Sequence, residues 1–542
     1  MGKVKTPVVL ILILFASAYI FSAPPRGTAG DLWADRILGQ TDGSIPNSGF
    51  GELKPNMGTN RNVFNVGGVL VDRYSNPQRL YLWDGGNSRV LGFSDIRIAL
   101  TKLGGQLGVD LCLGSDPAAV PMGADMIIGQ PDFTHCACNG DNNVQNYPSY
   151  TLAGASTLCG MDQTQCSPWE GGSYSNMAVD QQGNLYVPDT WNNRVLRFES
   201  GSLVSGAAGP AASYVWGQND FNGISANQGY SAPNNSTLSF GSICGAAVDS
   251  LGNLWVADSR NNRVLRFPNP NAPNPGVPLQ AADLVLGQAN FNTVTSASDV
   301  SDMNHLYSPV AVRVDTSGDV FVSDLAVNGS TTGRVLIYKP QSIMAGIPQY
   351  SNGMAANAVI SSGVATPYSI DIDAQGNLWV TETLYNQVVM YSVNCVTDPP
   401  TAVAQKVLLQ NQLSTAQSTN ATSGNGADFK YIYPAGATTA SWFMFGPVAA
   451  SVDRDGNVFV CAHSNMHDLY RFPAPVPDIT SLPAGQAWSA DVDVFKPSQF
   501  CMKNQIGPAN LEEGVGVAVG QNMSPQQIVV SDDYRIMYWN IP

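Results

Sequence analysis

One phrase occurs twice in this chain almost unchanged, as GNLYVPDTWNNRVLRF at 183–198 and GNLWVADSRNNRVLRF at 252–267. Self-similarity of this kind constrains a fold more than composition does, because each copy must be one supersecondary unit stacked on its neighbours. Degenerate copies stand at 78–93 (QRLYLWDGGNSRVLGF), 318–338, 376–391 and 456–472, and the weakest is QQIVVSDDYRIMYWN at 526–540. Length alone would allow two to four domains for 542 residues. The repeats overrule that estimate.

Most copies follow a short alternating segment ending in Asp, as in MAVDQQGN, AAVDSLGN, VRVDTSGD, IDIDAQGN and ASVDRDGN. This reads as strand, tight turn with Gly, then strand, so each unit supplies three antiparallel strands. A second recurring phrase provides a fourth strand: DRILGQTD (35–42), DMIIGQPDF (125–133), YVWGQNDF (214–221) and DLVLGQANF (283–291). Fainter versions lie at 357–363, 405–412 and 491–500. The first GQ phrase precedes the first three-strand core, and no such phrase follows the last core. The N-terminal strand is therefore expected to complete the last blade and shut a ring, as closed repeat architectures do to protect their edges. The expectation is an all-β propeller of four-stranded antiparallel blades, seven by this count, with six or eight as the alternatives.

The pattern VAVDxxGNLYVADxxNNRVLxF resembles the NHL repeat, a propeller family related to YWTD and gluconolactonase-like propellers, and the resemblance extends over nearly all of 31–542 as a single domain. Units of roughly 70 residues exceed ordinary propeller repeats, which places the excess in inserted loops, notably 94–124, 134–174 and 413–446. The family implies two kinds of function. Many members are protein- or glycan-binding scaffolds, whereas related propellers include amidating lyases, streptogramin lyases and lactonases that use a divalent metal near the central channel. Fold alone does not choose between them.

The first 23 residues carry Lys3 and Lys5, an apolar run from Val8 to Phe21, and small residues at Ala16, Ala18 and Ala23, as an export signal does. The run is shorter than the roughly 20 residues of a membrane-spanning helix, so a cleaved signal is expected, with an uncleaved anchor as the alternative and no stable membrane span. A secreted, extracellular or cell-envelope location then makes disulfides the natural state for the nine cysteines. Cys136, Cys138, Cys159 and Cys166 crowd into the 134–174 insert, where two disulfides are a better reading than a zinc site. A net charge of −15 with no cationic cluster argues against a nucleic-acid partner.

Strand order sorts the loops into two faces. The DxxGN turns and the connections after RVLRF share one face. On the other lie the DxxNNR loops and the inserts 43–65, 134–174, 223–243, 293–308, 413–446 and 501–513. All four histidines fall on that second face. His305 with His463 or His467, joined by Asp468 or Glu512, could hold one divalent ion, Zn or Ca, or serve as acid and base. Spacing gives no zinc signature, and loop tolerance alone would also place histidines there. Trp169, Tyr174, Tyr307, Trp442 and Phe443 are candidate ligand-binding aromatics, since such rings stack on sugars or anchor a peptide. Pinning long loops to the propeller is their competing role. The repeated pairs Asp84/Arg89, Asp189/Arg194, Asp258/Arg263 and Asp324/Arg334 read as structural, because one Arg can satisfy the Asp and nearby carbonyls together. The fifth repeat departs from this with Glu382 and Gln387. The function expected is a binding scaffold for a protein or carbohydrate ligand on the insert-bearing face. A metal-dependent lyase or hydrolase is the alternative, and a structural surface or matrix protein the third reading.

Overall fold

A computed structural model describes residues 66–97, 124–133, 135–140, 153–160, 173–271, 280–325, 332–409, 413, 447–462 and 468–481, with the backbone of strands at 36–38, 492–493, 516–520, 526–532 and 535–541. The chain divides into two compact units, one of Lys54–Cys501 and one of the chain ends, Met1–Leu53 with Met502–Pro542.

Lys54–Cys501 contains six blades, each with four antiparallel strands, and the third carries a fifth, Tyr174–Asn176, parallel to its innermost strand. In the third, Ile243–Val248, Leu254–Asp258, Arg263–Phe267 and Leu284–Leu286 run outward in chain order. The innermost strands of the others begin at Val66, Ala178, Pro309, Pro367 and Pro447, which numbers the blades one to six along the chain. Each GQ phrase within this unit supplies an outermost strand, and so do the three faint ones, at Ala358–Ile360, Thr401–Leu408 and Val492–Asp493.

The period of two along a strand explains how blades stack. Leu254 and Val256 pack into the seam with blade 2, while Trp255 between them packs into the seam with blade 4. The same alternation runs through Leu80 and Leu82 against Tyr81 and Trp83 in blade 1. It also sends Phe459 and Cys461 of blade 6 onto Leu80 and Leu82 of blade 1. Val71 N–H donates to Ser451 Oγ at 3.1 Å across that seam, and Arg454 Nε donates to Arg73 O at 2.6 Å.

This corrects the expected count of seven to six. Blade 6 packs directly on blade 1, and the ring closes by apolar packing between whole blades, with no strand shared across the seam. The strands expected as a seventh blade form their own four-stranded sheet in the unit of chain ends. There Arg36–Leu38 pairs antiparallel with Arg535–Ile541, Arg36 opposite Tyr538, so the N-terminal strand joins the C-terminal ones as the order of phrases implied.

Phe459 is fully buried in the closing seam. Phe459→Ala is expected to cost about 3–5 kcal/mol of unfolding free energy, read from urea denaturation; a loss below about 1 kcal/mol would mean that this seam does not close the ring.

Candidate functional site

The loop between the second and third strands is built alike in several blades. After Asp258 the chain makes a 3-10 turn over Ser259–Asn261, and Asn262 enters the left-handed region at φ 53°. Asn193 does the same in blade 2, with φ 50°. Asn tolerates this conformation because its short side chain bonds locally. The turn reverses the chain so that Arg263 Nε meets Asp258 Oδ2 at 2.7 Å, with both side chains fully buried. Asp189–Arg194 and Asp84–Arg89 repeat that distance, and Arg334 lies 3.0 Å from Asp324.

Each pair fastens more than its own loop. Asp258 Oδ1 accepts the N–H of Ser239 at 2.7 Å, while Arg263 Nη2 donates to Asn234 O and Thr237 O at 3.0 and 2.8 Å. These partners belong to the insert arriving from blade 2. Nη1 bonds Phe291 O, at the start of the insert leaving blade 3. The glutamine of the GQ phrase adds a second clip, because Gln288 Nε2 reaches Asn262 O at 2.9 Å and Thr295 O at 2.6 Å. Gln218 does likewise to Asn193 O and Ser225 O, at 3.1 and 2.9 Å. Burial pushes the Asp258 carboxyl above the usual range against the opposing pull of Arg263, Asn261 and the Ser239 N–H.

On the loops so held stand exposed apolar side chains. Ile224 and Val294 end the matching phrases FNGI and FNTV and are 50% and 47% exposed, and Tyr230 nearby is 60% exposed. Asn193 Nδ2 holds Ile224 O at 3.0 Å and Asn262 Nδ2 holds Val294 O at 3.3 Å.

The candidate residues are placed as follows. His305 Nδ1 lies 3.0 Å from Asp302 Oδ2, and Arg334 holds the His305 carbonyl at 2.7 Å. His135 meets Asp132 in the same DxxH turn, at 2.8 Å. Tyr307 is half-buried and gives its N–H to Asp324. Tyr174 is packed at the axis, its ring 5.4 Å from that of Tyr368. Asp468 opens the strand Asp468–Phe472, opposite Ala462. His463, His467, Trp169, Trp442, Phe443, Glu512 and Cys166 lie outside the described residues. Among the described residues no three His, Cys, Asp or Glu side chains are grouped to hold a metal ion. His305 uses one ring nitrogen on Asp302, and the histidines expected to join it, His463 and His467, lie outside the described residues. Cys138 and Cys159 form a disulfide in the 134–174 insert, and Cys136 is also disulfide-bonded.

At its axis the six-bladed unit is crossed by polar contacts that the repeat pattern did not suggest. Asn176, on the strand added to blade 3, donates Nδ2 to Val310 O at 3.1 Å and Tyr368 O at 2.9 Å, joining that blade to blades 4 and 5. Deeper, the buried Asp371 of blade 5 accepts from Arg73 at 3.1 Å and Arg313 at 3.4 Å, and from Ser451 at 3.1 Å. The two guanidiniums hold its carboxyl below the usual range against burial. Backbones approach so closely there that a Cβ on Gly68 would collide with the carbonyl oxygen of Ser175. A signal was readable: Arg313, Asp371 and Ser451 stand two residues before the turn Asp, where blades 1 to 3 have Leu70, Ala178 and Ala247.

Blade 5 keeps the carboxylate clamp without its cation. Glu382 Oε2 accepts the N–H groups of Ala365 and Thr366 at 2.7 and 3.0 Å, whereas the buried Oε1 has no hydrogen-bond partner among the described residues. Burial pushes this carboxyl up to about 8, the two N–H bonds opposing it.

The NHL repeat model matches residues 242–267, so blade 3 of this six-bladed β-propeller carries an NHL repeat. No curated protein matches the sequence. Among solved structures, a gluconolactonase from Xanthomonas campestris is 12% identical, over 68% of this chain and 86% of its own, with a TM-score of 0.32. A virginiamycin B lyase from Staphylococcus aureus is 8% identical over 89% and 96%, with a TM-score of 0.34. Hydrazine synthase from Kuenenia stuttgartiensis is 9% identical over 88% and 96%, with a TM-score of 0.38.

Glu382 gives a pH signature. Unfolded, the group ionises near 4.5; folded, it keeps its proton to about 8, so its contribution to stability is full in acid and is lost as pH rises through that interval. Urea denaturation at pH 5 and pH 8 should show Glu382→Gln losing less stability across the interval than the unaltered protein. Equal losses in the two would refute the assignment.

Proposed function

We propose that the protein is an extracellular or cell-envelope binding scaffold whose insert-bearing face, over blades 2 and 3, takes a protein or carbohydrate partner. The observation that carries this is the pair Ile224 and Val294, presented exposed at matching positions of successive blades on loops held by Asn193 and Asn262. Exposed apolar side chains on a pre-organised support lose little freedom on binding, which favours affinity. Their aliphatic character favours a protein partner, while Tyr230 offers a ring on which a sugar can stack. Disulfides at Cys138–Cys159 and Cys136 fit an oxidising compartment. No described helix is long and apolar enough to cross a membrane.

The second reading, a lyase or hydrolase with a divalent metal, draws on the His305–Asp302 contact, in which a carboxylate orients an imidazole as it does for a general base. Without a second described ligand, no step through a metal follows from it. His463 and His467 are the residues that would have to join His305.

Glycan arrays and displayed-peptide libraries screened with the unaltered protein and with Ile224→Ser, Tyr230→Ser, Val294→Ser in one chain test the first reading. A ligand bound by the former should lose about tenfold or more in the latter, the scale of interface hot spots. A ligand that binds both equally, or no ligand in either class, would sink it.

A further inference from the structure

The connection between the third and fourth strands of blade 4, Arg334–Tyr338 and Ala358–Ile360, lines a cavity of about 540 Å3 together with Asp398 of blade 5. Antiparallel order puts this connection at the opposite end of the blade from the loop joining Asp324 to Arg334, and so on the face away from the inserts.

Backbone bonds fix the cavity wall. Asn357 N–H donates to Ile337 O at 2.7 Å, and Ala356 N–H to Met303 O at 2.8 Å. Further along, the wall lies against the outermost strand of blade 3: Val285 N–H donates to Asn352 Oδ1 at 2.9 Å, and Val285 O accepts the N–H of Gly353 at 3.1 Å. A small hairpin, Ser342–Met344 with Ile347–Gln349, leaves this connection at a base closed by Gln341 N–H on Gln349 O at 2.8 Å. A cavity held in this way is pre-formed, as small-molecule sites usually are, and its size falls within their range of roughly 300–1,000 Å3.

The polar groups of the wall are only half used. Asn352 Oδ1 is taken by Val285, and Asn357 Oδ1 by the backbone N–H of Lys339 at 2.8 Å. Because each oxygen accepts a backbone N–H, the orientation of each amide is settled. Neither Nδ2 has a hydrogen-bond partner among the described residues, so both remain donors for something else. Lys339 Nζ extends to blade 5 and donates to Thr397 O at 3.2 Å, beside Asp398. Among the described residues Asp398 makes no ion pair with it. Pro340 and Met354 supply apolar surface, and no aromatic side chain lines the cavity.

These groups choose a class of ligand by what satisfies them. Amide and ammonium groups only donate, a carboxylate only accepts, and a hydroxyl does both. An anion would meet repulsion from Asp398 and a cation from Lys339. A nucleobase or other flat ring would find no aromatic partner on which to stack. A polyol meets all four polar groups.

We propose that this cavity is a second binding site, separate from the insert-bearing face, for one neutral hexose unit. Its hydroxyls accept from the Asn352 and Asn357 amides and from Lys339 and donate to Asp398, while its C–H surface rests on Pro340 and Met354.

Calorimetric titration of the whole protein at pH 7 with D-glucose, D-galactose, D-mannose and their methyl glycosides tests this. At least one should bind with a Kd of about 1 mM or tighter. A methyl glycoside bound as well as its parent sugar makes the occupant the end unit of a glycan; a methyl glycoside that does not bind makes it the free sugar. Asn352→Asp with Asn357→Asp keeps both accepting oxygens and replaces both donors, and should weaken binding about tenfold or more with the melting temperature preserved. Asp398→Ala, in an exposed turn, should weaken it too. The chain carrying Ile224→Ser, Tyr230→Ser and Val294→Ser should bind sugar as the unaltered protein does, which separates this site from the one proposed above. No sugar bound at about 50 mM, far above the Kd of even a weak site, would overturn the proposal, as would a sugar bound equally by the Asn352, Asn357 and Asp398 variants. Glycine bound where no sugar is would also overturn it, giving the cavity to a zwitterion that bridges Lys339 and Asp398.

Discussion

The buried aspartate–arginine pair is the contact on which the rest of this structure depends. Taking two charges out of water is costly, and the cost is offset only when every remaining donor and acceptor finds a partner. Arg263 meets that demand by spending its guanidinium on Asp258, on Asn234 and Thr237 in one insert and on Phe291 at the head of the next. Satisfying the charge therefore organises the loops. Arg194 and Arg334 repeat the arrangement with the carbonyls of Gly154 and Thr157, and of Asp302 and His305. A face assembled from long insertions becomes a fixed surface because the buried cations, beyond their aspartates, are satisfied by its backbone carbonyls.

Below that face a second set of interactions holds the ring. Alternate side chains of each second strand enter opposite seams, so every blade is bonded to two neighbours by the same rule, and the sixth meets the first without adjustment. Asp371, Arg73, Arg313 and Ser451 then tie blades 1, 4, 5 and 6 across the axis. Asn176 ties blade 3 to blades 4 and 5. With the axis filled in this way, the proposed recognition surface lies further out, on the loops bearing Ile224, Tyr230 and Val294.

Strands were legible in the sequence because their signals are local. Alternation, the DxxGN turn and the left-handed Asn before Arg are written within a few residues, and even the faint phrase NAVISSG supplies an outermost strand. The number of blades was not legible. Counting repeats gives seven, but whether the last copy enters the ring depends on Phe459 meeting Leu80 and Leu82, a contact between residues nearly four hundred positions apart. The axial cluster was half legible, since a charged residue at 313 and 371 breaks an apolar register, yet which partners it finds is a tertiary matter. His305 drew attention by rarity, and its partner Asp302 stood three residues earlier. The exposed Ile224 and Val294 were visible only as matching letters in FNGI and FNTV until burial separated them from the core.

The most direct test of this account is amide hydrogen exchange across the inserts in Arg263→Lys. Lysine keeps a positive charge beside Asp258 but lacks the fork needed to reach several carbonyls at once. The account predicts that segments 223–243 and 291–297 lose protection while the strand Leu254–Asp258 keeps it. Unchanged inserts, or a strand that loosens as much as they do, would contradict the claim that buried ion pairs hold the insert-bearing face in place.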